Sequence, residues 1–136
     1  MREIEFRGMS TLDEAELSER LIEHNGKWIH GTPIEDYIVN GIVEVNDEYI
    51  AMKQWVSVDP ETISQYTGLK DKNGQKIFEG DILQIESEFV GSENAEVHYT
   101  EDYMELCAGR WILHRIRHAA EVIGNKWENP ELLEVE

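Results

Sequence analysis

One cysteine, three prolines and only twelve bases set the first limits on this chain of 136 residues. With Cys107 alone, no internal disulfide can form, and a thiolate metal site would need histidine or carboxylate partners. No apolar run reaches the roughly 18 residues that a membrane-crossing helix needs, so no membrane partner is expected. The opening MREIEFRG lacks the apolar stretch of a secretory signal. With the single thiol, this points to a reducing, cytoplasmic setting. The scarcity of bases is the strongest exclusion: 12 stand against 29 acids, for a net charge of −17. The deficit is shared evenly, 5 bases against 13 acids up to Pro60 and 7 against 16 beyond it. A polyanionic backbone is repelled by such a surface and releases no counterions on it, which excludes direct nucleic-acid binding as the expected activity.

What is present is a folding composition, with 40% hydrophobic residues, four Trp and five Tyr. The length suits one domain, or one domain with a small appendage. Alternation around Ile4 and Phe6 predicts a first strand over Arg2 to Arg7. A helix is expected over about residues 11–24, opened by a Thr11–Glu14 capping box and stopped at Asn25-Gly26. Its apolar residues form no clean stripe, which suggests a peripheral lid. From Trp28 the texture is β. Trp28 to His30 reads as a strand broken at Gly31-Thr32-Pro33, and Asn40-Gly41 as the turn of a hairpin between Tyr37–Val39 and Ile42–Val45. Further turns and strands follow over Asn46–Glu48, Tyr49–Met52 and Trp55–Val58, and Asp59-Pro60-Glu61 marks a capped turn.

The run QYTGLKDKNGQKIFEGDIL, Gln65 to Leu83, holds a second hairpin turn at Asn73-Gly74 and a sharp corner at Gly80-Asp81. Glycine permits the bend and the aspartate can bond backbone donors of its own turn. A phosphate cradle would need a following helix, a Lys-Ser/Thr pair or Gly-x-Gly spacing, and none is there. The run shapes the chain. Beyond it, Glu86 to Glu105 carries seven acids and no Lys or Arg. A loop is expected at Gly91–Asn94, then a strand from Ala95 to Tyr99. Trp111–Arg117 reads as a strand or short helix, and Glu121–Gly124 as a last strand.

Three blocks, MREIEFRG, Gln65–Leu83 and EVIGNKWENPELLE (Glu121–Glu134), together resemble the YopX family, small proteins of phages and prophages of Gram-positive bacteria. Trp28-Ile29-His30-Gly31 is a fourth, weaker block, in which the family more often has an aromatic at position 30. Met9–His24 reads as an inserted helical segment, and Glu86–Arg117 matches only loosely. The resemblance implies an α+β, mainly β fold: an N-terminal part over residues 1–65, then an SH3-like roll or barrel over 66–136. It implies no catalytic residue, cofactor or substrate.

The residues offer few alternatives. His114 and His118 are spaced to share a helix face and clasp a metal, but Arg110, Arg115 and Arg117 crowd any cation, and surface histidines are the plainer reading. Arg115 and Arg117 suit one sheet face, offsetting acids or reaching across an interface. Cys107 with His98 or His114 has the elements of a nucleophile and base, against a small buried hydrophobe as the plain alternative. Glu79 and Asp81 flank one glycine as a paired-carboxylate site would, though neighbours at a turn point apart. Trp127, between Lys126 and Glu128-Asn129-Pro130, is expected to cap the roll or lie at a contact between chains; the other tryptophans suit core or interface positions. The expected function is therefore non-catalytic: a phage accessory protein that binds a host or phage protein. The alternatives are a self-assembling homo-oligomer, or an acidic mimic of nucleic acid that inhibits a host DNA-binding protein.

Overall fold

The computed structural model describes residues 3–39, 42–45, 50–52, 55–88 and 91–134. The chain is mainly β and forms two compact units, Ile4–Gln65 and Met1–Glu3 with Tyr66–Glu136. The expected turns at Asn40-Gly41 and Asn46–Glu48 lie outside the described residues.

In the first unit, β1 (Phe6–Met9) begins later than expected and runs through Gly8. It pairs antiparallel with β2 (Trp28–Ile34), which is not broken at Gly31-Thr32-Pro33. The reason lies in the register: β1 reaches only to Gly31 opposite Phe6, so Pro33 pairs solely with β3 (Tyr37–Val39) and its missing N–H costs little on the other side. The hairpin expected between Tyr37–Val39 and Ile42–Val45 is replaced by other pairings. β4 (Ile42–Val45) pairs with β5 (Ile50–Met52), and β3 takes β2 on one side and β6 (Trp55–Ser57) on the other.

The helix is shorter than its sequence suggested. α1 spans Glu14–Glu19, and its cap is Asp13, whose Oδ1 accepts from the Glu16 N–H at 2.8 Å, not Thr11. It stops at Arg20 because Leu21 takes a left-handed φ of 58°. The Ile22 N–H then reaches the Leu17 carbonyl at 3.0 Å and the Leu21 N–H the Ser18 carbonyl at 3.1 Å, the two bonds of a Schellman stop. Burial explains why a leucine fills a glycine position: Ile22 packs against the cluster of Leu17, Ile29, Ile38, Val56 and Val58. Leu17 is fully buried, so the helix is a core anchor of this unit and not a lid.

In the second unit, β7 (Ser64–Lys70), entering from the first unit, folds back through a turn onto β8 (Lys76–Phe78). A five-stranded antiparallel sheet follows, built from β9 (Asp81–Ser87), β10 (Gly91–Thr100), β11 (Glu105–Ala108), β12 (Trp111–Ile112) and β13 (Ala120–Asn125). Its order is β12-β11-β10-β9-β13. Gly91–Asn94, expected as a loop, belongs to β10 and pairs with Ser87–Gln84. Between β12 and β13 lie α2 (Leu113–Ile116) and a 3-10 turn. One face of the sheet buries Leu83, Ile85, Ala95, Val97, Ala108 and Ala120 with Ile77 and Leu113.

The sheet is open, with β12 and β13 as its edges, and not the closed barrel expected from the resemblance. Two local facts explain this. β12 is only two residues long before the chain turns helical. The outer edge of β13 bonds not to a strand but to a turn: the Val122 N–H donates to Asp71 Oδ2 at 3.0 Å, and the Ala120 carbonyl accepts from Lys72 N–H at 3.0 Å.

Candidate interaction site

The Gly80-Asp81 corner is consumed by architecture. Gly80 has φ of +88°, and a Cβ there would lie 2.5 Å from the Trp127 ring, so the indole is seated directly on the glycine. The Gly80 N–H donates to the Val97 carbonyl and its carbonyl accepts from Lys126 N–H, both at 2.9 Å. Asp81, buried, accepts the Phe78 N–H at 2.8 Å; it is a turn group, with no role paired to Glu79. At the Asn73-Gly74 turn, Asp71 Oδ1 accepts from Asn73 and Gln75 N–H at 2.8 and 2.9 Å, and Gly74 has φ of +82°. Asn125 Oδ1 likewise accepts from Trp127 and Glu128 N–H at 3.1 and 2.9 Å. Asn94 Nδ2 donates to the Leu132 carbonyl at 2.9 Å, which fixes the C-terminal turn across the outer side of the sheet.

The other sequence candidates are dispersed. His114 lies on α2 and His118 on the next 3-10 turn; both are exposed, and the change of helix type removes the shared face. No group of three or more His, Cys, Asp or Glu able to hold a metal occurs among the described residues. Arg115 and Arg117 are on these helical turns and not on a sheet face; Arg117 donates to the Lys70 carbonyl at 3.1 Å.

His98 and Cys107 are brought together. They are direct cross-strand partners on β10 and β11. Both line a cleft of about 380 Å³ on the outer face of the sheet, with Thr100, Tyr103, Gly109, Arg110 and Ile112. Yet they make no hydrogen bond to each other. The thiol is buried and lies 3.9 Å from the Glu105 carbonyl, while His98 Nδ1 is 3.2 Å from the Glu96 carbonyl, so each has a contact along its own strand. No hydrogen bond aligns the Cys107 thiol with the His98 ring in this arrangement.

At one end of the cleft is Arg110, on the β11–β12 turn, whose Nη2 donates to Glu93 at 3.0 Å. Glu93, which also accepts from the Trp111 indole N–H, lies with Trp111 on the core-facing side of the sheet, outside the cleft. At the other end is the four-residue tip of the β10–β11 hairpin, Glu101-Asp102-Tyr103-Met104. Tyr103 is 73% exposed and Met104 77%, the latter with a left-handed φ of 51°. The sequence reading missed this tip because no Gly or Asn-Gly marks it. The available signal was the polar break TEDYME between two apolar segments.

The seven acids of Glu86–Glu105 do not form one surface. Glu93 pairs with Arg110 at 3.0 Å and Glu96 faces Lys126 at 4.0 Å. Glu86 and Glu88 lie at the β9 turn, while Glu101 and Asp102 lie at the opposite end of the ten-residue β10, about 30 Å of strand away.

Comparison with known proteins places this architecture. A family model described as YopX protein matches residues 20–134. The chain belongs to the YopX family. The match takes in the Gln65–Leu83 block and the C-terminal block that ends at Glu134, and begins after α1. The crystal structure of protein EF1440 from Enterococcus faecalis is similar to this YopX protein. It is 26% identical, covering 98% of this chain and 100% of that one, with a TM-score of 0.62. No curated protein matches. No helix among the described residues is long and apolar enough to cross a membrane.

Proposed function

We propose that this YopX protein is a non-catalytic accessory protein, acting in the cytoplasm of a bacterium that carries a phage or prophage, and that it works by binding another protein through the outer face of β10 and β11. The observation that carries the reading is the hairpin tip. Tyr103 and Met104 are left in water beside a cleft, whereas the groups with chemical potential, His98 and Cys107, are engaged along their own strands. Exposed aromatic and methionine side chains next to a concavity are what protein interfaces collect. The test is quantitative mass spectrometry of proteins recovered from host lysate on tagged wild type and on Tyr103→Ser/Met104→Ser. We expect at least one protein enriched on wild type and depleted about tenfold on the variant, as loss of a central anchor produces. Equal recoveries on both would sink the proposal.

A self-assembling oligomer is the second reading, favoured by a separate feature of the first unit. Tyr37 and Trp55 stack edge to face at 6.0 Å, Ile34 pairs with Tyr37 across the strands, and all three are exposed on one side of β2, β3 and β6. Sedimentation equilibrium at low and high salt tests it; a strict monomer at high concentration removes it. Mimicry of nucleic acid is the least supported reading, because it needs a continuous row of carboxylates and the acids of Glu86–Glu105 are split between two ends of a strand.

A further inference from the structure

We infer that the β10–β11 tip is a two-part docking finger for a basic polypeptide, in which Tyr103 and Met104 provide apolar contact and Glu101, Asp102 and Glu105 select a partner rich in Lys or Arg. The inference rests on the interaction reading above and specifies its partner. Within Thr100–Glu105, three of six residues are acids and none is a base. None of these three acids makes an ion pair among the described residues. Two cations of this sheet's surface are paired elsewhere, Arg110 with Glu93 and Lys126 with Glu96. The tip therefore presents negative charge that its own sheet does not neutralise.

Charge and apolar surface divide the work. Uncompensated acids at the rim steer a cationic partner and exclude an anionic one, so nucleic acid and anionic lipid surfaces are poor occupants. Binding energy needs desolvated contact, which Tyr103 supplies as a stiff amphipathic ring and Met104 as an adaptable thioether. Behind them the cleft floor of Cys107 and Ile112 is apolar and can accept one side chain of the partner, with Thr100 and His98 as polar markers.

The test uses the full chain, labelled with nitrogen-15, and three synthetic peptides of equal length. One has Lys-Leu-Lys-Ser repeats, one Ser-Leu-Ser-Ser repeats, and one Lys-Ser repeats without apolar residues. The expected result is that the Lys-Leu peptide shifts the amide resonances of Thr100–Glu105, Cys107 and Ile112. That binding should weaken about tenfold between about 0.05 and about 0.5 M salt, as expected for exposed charge pairs. Glu101→Lys/Asp102→Lys should abolish the preference for the Lys-Leu peptide over the Ser-Leu peptide, with the remaining spectrum unchanged as proof of folding. Equal, salt-insensitive binding of the Lys-Leu and Ser-Leu peptides at the tip overturns the inference and leaves the interaction reading standing. Shifts from the two Lys peptides scattered over every acidic surface, with none concentrated at the tip, also overturn it. No response at the tip to any peptide overturns both.

Discussion

Two regions of the C-terminal unit treat their side chains in opposite ways. At the Gly80 corner the Gly80 N–H and carbonyl and the buried Asp81 carboxylate bond to backbone, and the one large apolar group, Trp127, is seated on a glycine. At the hairpin tip, the acids make no ion pair among the described residues and two large apolar side chains face water. Folding stability accounts for the first arrangement and gives no reason for the exposed apolar side chains of the second. A motif that looks specific is thus not necessarily a site: GQKIFEGDIL is distinctive because a left-handed residue, a buried aspartate and a close aromatic contact each restrict the residue type. TEDYME also holds a left-handed residue, Met104 at φ of 51°, yet the tip buries neither Tyr103 nor Met104, which leaves these two side chains free to answer to something outside the chain.

The largest break in this comparison comes from Gly80→Ala. A β-carbon at φ of +88° is strained and would overlap Trp127, so unfolding free energy should fall by about 2–4 kcal/mol. Gly74→Ala is the matched control, because φ is +82° there but nothing lies within 4 Å of the added carbon; it should cost about 1 kcal/mol, the backbone part alone. Urea unfolding of both, with Trp127→Ala in the Gly80→Ala background, separates the terms. If the two glycine variants cost the same, Trp127 is not seated as described. Next in size is Asp71→Ala, which strips acceptors from the Asn73, Gln75 and Val122 N–H groups at once. A loss of about 2–3 kcal/mol is expected, and hydrogen exchange at Val122 should accelerate more than at Leu83 in the sheet interior.

Much of the architecture was legible because it is local. The β texture, the Asn73-Gly74 turn, the Gly80 bend and the last strand each follow from residues adjacent in sequence. What was not legible depended on distant partners. α1 ends at Glu19, five residues short of the expected end at about residue 24, because burial of Ile22 against Leu17 and its cluster outweighs the cost of a left-handed leucine. β2 continues through Pro33 because β1 ends where it does, a fact of register that no local rule contains. The closed barrel failed to appear because β12 is only two residues long and the Asp71-Lys72 turn bonds the outer edge of β13. The candidate site was half visible. His98 and Cys107 were marked by residue type, but their cross-strand placement and the exposed Tyr103 and Met104 depend on β11, a strand whose short apolar run resembled any buried segment.

A smaller effect sharpens the corner's side of the comparison. Asn125→Ala removes the side-chain acceptor for Trp127 and Glu128 N–H, so the C-terminal turn should loosen and stability drop by about 1–2 kcal/mol. Trp127 fluorescence should shift to the red before global unfolding if its seat on Gly80 depends on this cap; coincident transitions would show that the indole is held by packing alone.

The smallest expected effect falls on the tip, and its smallness is informative. Tyr103→Ser/Met104→Ser should change unfolding free energy by no more than about 0.5 kcal/mol, because groups already in water lose nothing on replacement. Were the two side chains instead supporting the β10–β11 hairpin, their removal would cost well over that, and protection of the Cys107 and Ala108 amides would fall with it. Unchanged stability and unchanged protection, alongside lost partner binding, would show two residues retained at no benefit to the fold. A destabilised hairpin would move Tyr103 and Met104 to the same category as Trp127 and leave the outer face of the sheet without a site.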